Sequence, residues 1–152
     1  MAIRIRRATL RDLPLLIRHR RGMFEDMKRG SASELTKHDR NYAKWARQRL
    51  SDGSMIGFVA LQGKEVAASG CVWLREKQPA PGYPGGRVPY LLSMFTERHK
   101  RGLGAATAIV KAALAWAKKR KLPLMLLHAS DAGRPIYERL GFKATNEMEI
   151  KL

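Results

Sequence analysis

The sequence has one cysteine, few acidic residues and no long apolar run, and each shortage removes a class of protein. Cys71 cannot close an intrachain disulfide, so a disulfide-stapled scaffold is excluded. The apolar neighbours of Cys71 predict a buried, unreactive thiol, which fits a reducing, cytoplasmic location. No stretch approaches 18 consecutive apolar residues, and neither a membrane-spanning helix nor a secretory leader is expected.

Acidic residues are outnumbered by basic ones, with 13 Asp and Glu against 30 Lys and Arg, which gives a formal net charge of +17. Such a charge attracts anions over a long range. The basic residues are spread over residues 4–21, 37–49 and 98–121, and most of these runs are expected to be solvated helix faces. With 45% hydrophobic and 28% charged residues, the chain is expected to fold as one soluble domain over residues 1–152.

Hydrophobic periodicity and turn residues predict six strands and four helices. The predicted strands cover residues 3–7, 55–61, 65–74, 88–95, 123–128 and 144–152, and the predicted helices cover 12–24, 34–50, 102–116 and a last segment that closes at Leu140 before Gly141. A short turn at residues 62–64 should pair the second and third strands antiparallel. Residues 78–86 hold three prolines and three glycines and are expected to form a surface loop that overhangs a site.

The sharpest functional signal lies at residues 94–106, where an apolar strand runs through a basic turn into a helix that opens on Gly102 and Gly104. Glycines at the start of a helix allow backbone N–H groups to approach an anion closely, and the helix dipole adds favourable charge. The cationic residues before Gly102, among them Lys100 and Arg101, strengthen this attraction. The pattern therefore predicts a site for a phosphate-bearing ligand.

Two common nucleotide-binding patterns do not fit the glycines of this chain. A dinucleotide fingerprint needs a glycine or alanine at position 107, where this chain has Thr107, and only 48 residues follow Gly104. A P-loop fails at Gly63 and Lys64, because Glu65 stands where a Ser or Thr would hold magnesium. The remaining alternative, tight packing at a helix start, is disfavoured by a second motif nearer the C-terminus.

Two motifs in this order resemble the GNAT superfamily of N-acetyltransferases. Residues 94–104, MFTERHKRGLG, resemble the family's acyl-CoA signature Gln/Arg-x-x-Gly-x-Gly/Ala, with His99 at the first position. Residues 128–142 resemble its closing motif, a strand end followed by a helix reading Tyr-x-x-x-Gly-Phe, here Tyr137 to Phe142. The resemblance implies an α/β (α+β) fold with a mixed, mostly antiparallel central sheet of six to seven strands flanked by about four helices.

The resemblance also implies an enzyme, an acetyl-CoA-dependent N-acetyltransferase in which an amine attacks the thioester directly. Backbone N–H groups near Ser93 and Met94 would be the oxyanion donors, and Tyr137 would be the acid that protonates the departing thiolate. The residues implied to bind acetyl-CoA are Ser93, Met94, Phe95, Thr96, His99, Lys100, Arg101, Gly102, Leu103, Gly104, Ala105, Ser130, Gly133 and Tyr137. The four histidines show no metal-ligand spacing, and no metal site is expected.

The general base, the acceptor and the assembly stay open at this point. Candidate bases are Glu25, Asp26, Glu76, Glu97 or a chain of water molecules. A protein of this charge would repel a Lys-rich peptide, which favours a small neutral or acidic amine, or an amine linked to nucleic acid such as an aminoacyl-RNA. The alternatives to an enzyme are a basic nucleic-acid-binding module and a GNAT-fold protein that binds acyl-CoA without transfer. A homodimer is a further option.

Overall fold

A five-stranded sheet forms the centre of the computed structural model, which describes residues 2–152. The strands are β1 (Ile3–Arg7), β2 (Met55–Gln62), β3 (Glu65–Lys77), β4 (Gly86–Thr96) and β5 (Leu126–Leu127), and they lie side by side in that order. Neighbouring strands from β1 to β4 are antiparallel, while β4 and β5 are parallel. The α-helices are α1 (Leu13–Asp26), α2 (Ala32–Asp52), α3 (Ala105–Lys119) and α4 (Arg134–Arg139), with 3-10 turns at Leu10–Asp12 and Arg98–Lys100.

Local sequence signals set the ends of the first two helices. Ahead of α1, Thr9 and Asp12 form a capping box, in which the Asp12 carboxylate accepts a hydrogen bond from the Thr9 N–H at 2.8 Å. Ser31 and Glu34 form a second capping box at the start of α2. α2 ends at Gly53, whose φ of +78° is the left-handed conformation that terminates many helices. None of the helices within residues 2–152 is long and apolar enough to cross a membrane.

The sheet carries an apolar layer on each face, because successive strand residues point to opposite sides. On one face, Phe58 and Val72 pack with Ile109 of α3. On the other face, Met55 and Cys71 pack against α1 and α2. Cys71 is fully buried, which confirms the prediction of a buried cysteine, and burial raises the pKa of its thiol to about 12.

The predicted fold class is confirmed, but the described sheet has five strands rather than six to seven. Residues 144–152 were expected to form a strand and form none, because no described strand pairs with them. β5 covers two residues rather than six, since only Leu126 and Leu127 pair with β4. α3 begins at Ala105 rather than at residue 102, because Gly102 and Gly104 have φ values of +77° and +82°, which an α-helix does not accommodate.

Candidate active site

The end of β4 carries a β-bulge at Ser93. Between the pairs that Leu92 and Phe95 make with β3, β4 holds one residue more than its neighbour. Ser93 has a φ of +58°, an uncommon conformation for a residue with a side chain. Its buried hydroxyl accepts a hydrogen bond from Nη1 of Arg20 at 2.8 Å, so α1 is tied directly to the bulge.

The sheet opens next to this bulge because β4 and β5 pair at only two positions. Tyr90 lies opposite Leu126, and Leu91 lies opposite Leu127. Within the described part of the chain, no strand pairs with residues 92–96 on the β5 side. Backbone groups of β4 on that side are therefore available to a ligand, as the sequence prediction for Ser93 and Met94 requires.

A glycine turn connects this opening to the start of α3. Gly102 and Gly104 are both left-handed, and Gly104 is the N-terminal cap of α3 without any side-chain hydrogen bond to the helix. No atom lies within 4 Å of the position that a Cβ would take at either glycine. The first turn of α3, which begins at buried Ala105, thus has open space in front of it, and its N–H groups and dipole favour an anion there.

The cations of the turn are held by carboxylates from other elements. Arg101 and Arg98 both contact Asp26 at the end of α1, with N–O distances of 2.6 Å and 2.9 Å. The Arg101 Nε–H also donates to the Thr96 carbonyl at 3.1 Å. Lys100 contacts the carboxylate of Glu65 in β3 and donates to the Gln62 side chain at 2.7 Å. These pairs hold the turn against α1 and the β2–β3 hairpin, while His99 and Leu103 are exposed.

Tyr137 lies on α4, and it packs against the same apolar cluster beneath α3 as Met94 does. Its ring contacts the Phe142 ring edge-to-face, with the centroids 5.9 Å apart. A Cβ at Gly133 would lie 3.0 Å from the Tyr137 ring, so glycine leaves room for the phenol, and the Gly133 N–H donates to Ser130 Oγ at 3.1 Å. Burial raises the pKa of Tyr137, which keeps the phenol protonated at neutral pH.

A buried hydrogen-bond network next to Glu97, just before the basic turn, includes His19, which the sequence pattern did not single out. The His19 Nε2 lies 2.9 Å from Glu97 Oε1, and its Nδ1 lies 2.7 Å from Ser69 Oγ. Burial lowers the pKa of His19 and outweighs the opposing hydrogen bond to Glu97. Because the Glu97 carboxylate can only accept, the neutral ring carries its proton on Nε2 and accepts from the Ser69 hydroxyl at Nδ1.

The structure places the candidate bases in ion pairs or away from the bulge. Burial would raise the pKa of Glu97, but hydrogen bonds from His19 and Arg18 outweigh it, and the pKa is lowered. Asp26 is occupied by the two arginines of the turn, and Glu25 lies 3.7 Å from Arg21. The pKa of Asp26 is lowered as well, since hydrogen bonds from Arg101 and Arg98 outweigh burial, so Asp26 and Glu97 are weak proton acceptors.

Arg20 is the second residue that sequence reasoning missed. Its guanidinium lies 4.9 Å from the ring centroids of both Phe24 and Tyr42, and its Nε–H donates to His38 Nε2 at 3.1 Å. No described carboxylate lies within 4 Å of this half-buried cation, and burial lowers its pKa. Beside it the buried Tyr42 hydroxyl has no hydrogen-bond partner among the described residues, although it lies near Ser93. The α1 side of the bulge thus holds a half-buried cation without a carboxylate partner among the described residues.

Comparison with known proteins agrees with this geometry. The profile of the Acetyltransferase (GNAT) family matches residues 20–142, which include the bulge, the glycine turn and Tyr137. The chain belongs to the GNAT acetyltransferase family. It is an acyltransferase enzyme, and the co-substrate that this GNAT family uses is acetyl-CoA.

Solved structures support the same assignment. A GCN5-related N-acetyltransferase from Ralstonia eutropha JMP134 is 30% identical, with a TM-score of 0.91 over 99% of both chains. A predicted acetyltransferase from Clostridium acetobutylicum, solved with acetyl-CoA, is 25% identical, with a TM-score of 0.88 over 99% of this chain and 96% of that chain. A ribosomal-protein-alanine N-acetyltransferase from Brucella melitensis biovar Abortus 2308, at 19% identity and a TM-score of 0.72 over 99% of both chains, shares the fold. No curated protein matches the chain.

Proposed function

We propose that this GNAT enzyme transfers the acetyl group of acetyl-CoA to a primary amine by direct attack. The observation that carries the proposal is the glycine turn at the start of α3, where Gly102 and Gly104 are left-handed and a Cβ would point into open space. Backbone N–H groups can approach a phosphate closely only where such side chains are absent. Only the 3-10 turn at Arg98–Lys100 separates this glycine turn from the unpaired end of β4 along the chain, so one extended ligand would reach both.

Acetyl-CoA would lie along this edge, with its phosphates at the glycine turn and its thioester near the bulge. Residues 93–96 would bind it through backbone groups, and residues 102–105 would bind the phosphates. Lys100 and Arg101 hold the turn in place and add positive charge to it, while exposed His99 is free to contact a phosphate. Ser130 and Gly133 would form the opposite wall, next to Tyr137.

The proposed chemistry needs little from charged side chains. The amine nitrogen bonds to the thioester carbon, the C–S bond breaks, and the sulfur leaves as a thiolate. N–H groups near Ser93 and Met94 would donate to the charge that develops on the carbonyl oxygen. Tyr137 would protonate the thiolate, because its partly buried phenol stays protonated at neutral pH. Since the nearby carboxylates are paired, we assign removal of the amine proton to water.

The acceptor is proposed to be a small amine that carries a carboxylate. Arg20 supports this choice, because its guanidinium lies at the bulge, is half-buried and has no carboxylate partner among residues 2–152. A buried cation without a counterion favours an anionic ligand. The association with nucleic acid that the charge of +17 suggests stays a prediction.

Two glycine variants, compared with each other, test whether the glycine turn at the start of α3 binds the phosphates of acetyl-CoA. Gly104 and Gly53 have φ values of +82° and +78°, and neither has an atom within 4 Å of its Cβ position. Alanine at either position therefore carries a similar backbone strain of about 1–2 kcal/mol. Only Gly104→Ala places a methyl group at the start of α3, where the phosphates are proposed to bind. We expect saturating acetyl-CoA to raise the Tm of the wild type and of Gly53→Ala by several degrees, and that of Gly104→Ala much less.

Release of free thiol from acetyl-CoA against a panel of amines then tests the transfer itself. Thiol release that depends on both the amine and the protein would support the proposal. Stabilisation without thiol release would favour a protein that only binds acyl-CoA. The proposal is wrong if acetyl-CoA does not stabilise the wild type. If acetyl-CoA raises the Tm of Gly104→Ala and Gly53→Ala equally, the phosphates do not bind at the glycine turn.

A further inference from the structure

The outward face of α2 carries a line of four positive charges. The opposite, inward face is set by Tyr42 and Ala46, which are buried in the apolar layer that α2 shares with α1 and the sheet. Exposed cations recur on the outward face at intervals of three, four and three residues, and this basic stripe consists of Lys37, Arg40, Lys44 and Arg47. Residues at such intervals lie on one side of a helix. At a rise of about 1.5 Å per residue, the stripe is roughly 15 Å long.

No carboxylate of the described residues lies within 4 Å of a cation of the basic stripe. The three acidic residues of α2 serve other groups. Glu34 completes the capping box of the helix, and Asp39 contacts Arg21 at 2.7 Å. Asp52, at the other end of α2, accepts a hydrogen bond from the Ser54 N–H. Like charges three and four residues apart destabilise a helix, so α2 gains no stability from the stripe.

Two other basic runs of the chain, by contrast, have a role inside the fold. Lys100 and Arg101, in the turn before α3, pair with carboxylates. Residues 118–121 lie at the C-terminal end of α3, where cations complement the negative end of the helix dipole. The basic stripe lies more than one turn from either end of α2, so neither reason applies to it. Its charges are therefore available to a partner.

The other side chains of this face indicate which partner fits the basic stripe. Asn41 and Gln48 are exposed, lie four residues after Lys37 and Lys44, and can both donate and accept hydrogen bonds. None of the exposed large apolar residues of the described chain lies on α2. Membranes and protein partners bury apolar side chains, and single-stranded nucleic acids stack their bases on aromatic rings. Double-stranded RNA is instead recognised through its phosphates and 2′-hydroxyl groups.

We propose that the outward face of α2 binds the sugar–phosphate backbone of double-stranded RNA. Each cation of the basic stripe would neutralise one phosphate, and Asn41 and Gln48 would hydrogen-bond to 2′-hydroxyl groups between the phosphates. Contacts to phosphate and sugar carry no sequence information, so binding would not depend on the base sequence. The surface does not include the acetyl-CoA site, and the proposal does not rest on acetyl transfer.

Fluorescence anisotropy of a labelled RNA duplex tests this proposal without acetyl-CoA. The wild type should bind the duplex, and its affinity should fall about a hundredfold as the KCl concentration rises from about 50 to about 200 mM, because each phosphate contact releases a counterion. Glutamine at all four positions of the basic stripe should weaken binding at the lower salt about a hundredfold or more, and should reduce the salt slope by about three to four. Glutamine is as good a helix former as lysine, so the Tm of this variant should not fall.

The matched control removes the same number of charges from the opposite face of the sheet, where α3 packs. It consists of Lys118→Gln, Lys119→Gln, Arg120→Gln and Lys121→Gln. This control should keep most of the affinity and of the salt slope. Asn41→Ala combined with Gln48→Ala should weaken binding to duplex RNA and leave binding to duplex DNA of the same sequence unchanged.

Any of the following results would overturn the proposal. A wild type that does not bind duplex RNA at low salt has no such surface. An equal loss of affinity in the stripe variant and in the control would show a response to net charge alone. Equal affinity for duplex RNA and duplex DNA would exclude recognition of the 2′-hydroxyl groups. Displacement of the RNA by polyglutamate at an equal concentration of charge would indicate a surface for an acidic protein.

Discussion

Removal of the Arg20 guanidinium should change which amines this enzyme acetylates. Arg20 donates through Nε and Nη1 to His38 and Ser93, and its Nη2 makes no hydrogen bond to any described residue. A charge-assisted hydrogen bond is worth about 1.5–3 kcal/mol. Because the guanidinium is half-buried between Phe24 and Tyr42, water screens its charge little. Loss of its contact to a carboxylate should therefore lower kcat/KM about ten- to a hundredfold.

The assay compares amines that carry a carboxylate with their uncharged amides. Arg20→Met also loses the hydrogen bond to Ser93, and a distorted bulge would slow both kinds of substrate alike. The ratio of the two kcat/KM values removes that common effect and isolates recognition of the carboxylate. Arg21→Met is the control, because Arg21 is the adjacent arginine and is paired with Asp39 at 2.7 Å.

The wild type should prefer the acids, Arg21→Met should keep the preference, and Arg20→Met should lose it. Arg20→Lys should retain part of it, because lysine keeps the charge and loses the planar fork of donors. If the ratio is the same in the wild type and in Arg20→Met, the anionic acceptor is refuted. Acetyl-CoA binding and the GNAT assignment would be unaffected by that result.

Two further predictions concern the buried groups of the site. Tyr137→Phe removes only the hydroxyl and should lower kcat about 10²-fold or more while leaving acetyl-CoA stabilisation intact; full turnover in this variant would exclude Tyr137 as the acid. His19 has a folded pKa below its ordinary value of 6.5, so the unfolded chain binds a proton more readily and stability should fall as the pH drops below about 6.5. Urea unfolding at pH 7.5 and 5.5 should show a smaller loss for His19→Gln than for the wild type, and equal losses would contradict the proposed neutral histidine.

Local patterns in the sequence were enough to predict most of the fold. The capping pair at Thr9 marks the helix start that the sequence predicts near Asp12, through hydrogen bonds that span only three residues. The pair at Ser31 begins α2 at Ala32, two residues before the predicted start at residue 34. The apolar runs of β2 and β3 and the short turn between them predict an antiparallel pair, which the structure confirms. Gly102 and Gly104 predicted a close approach of backbone to an anion, because glycine is the residue that adopts a left-handed turn at little cost.

The groups around the bulge could not be predicted in the same way. Arg20 and Ser93 are 73 residues apart, and His19 and Glu97 are 78 residues apart, so no local pattern connects them. Lys100 and Arg101 have the composition of a phosphate site, yet their carboxylate partners come from β3 and α1. Whether a cation is free for a ligand depends on what the fold places beside it.

The C-terminal segment, residues 144–152, shows most clearly the difference between what a sequence pattern determines and what the tertiary structure determines. Its alternating residues define a strand with one apolar face, and that much is a property of the sequence because side chains on a strand alternate. A strand also needs a neighbour for its backbone hydrogen bonds, and the described fold offers residues 144–152 none. The sequence determined the strands, helices and glycine turn that make this chain a GNAT enzyme. Tertiary structure decided which charges are paired, which cation has no carboxylate beside it and which strand edge is left open, because these depend on contacts between residues far apart in the chain.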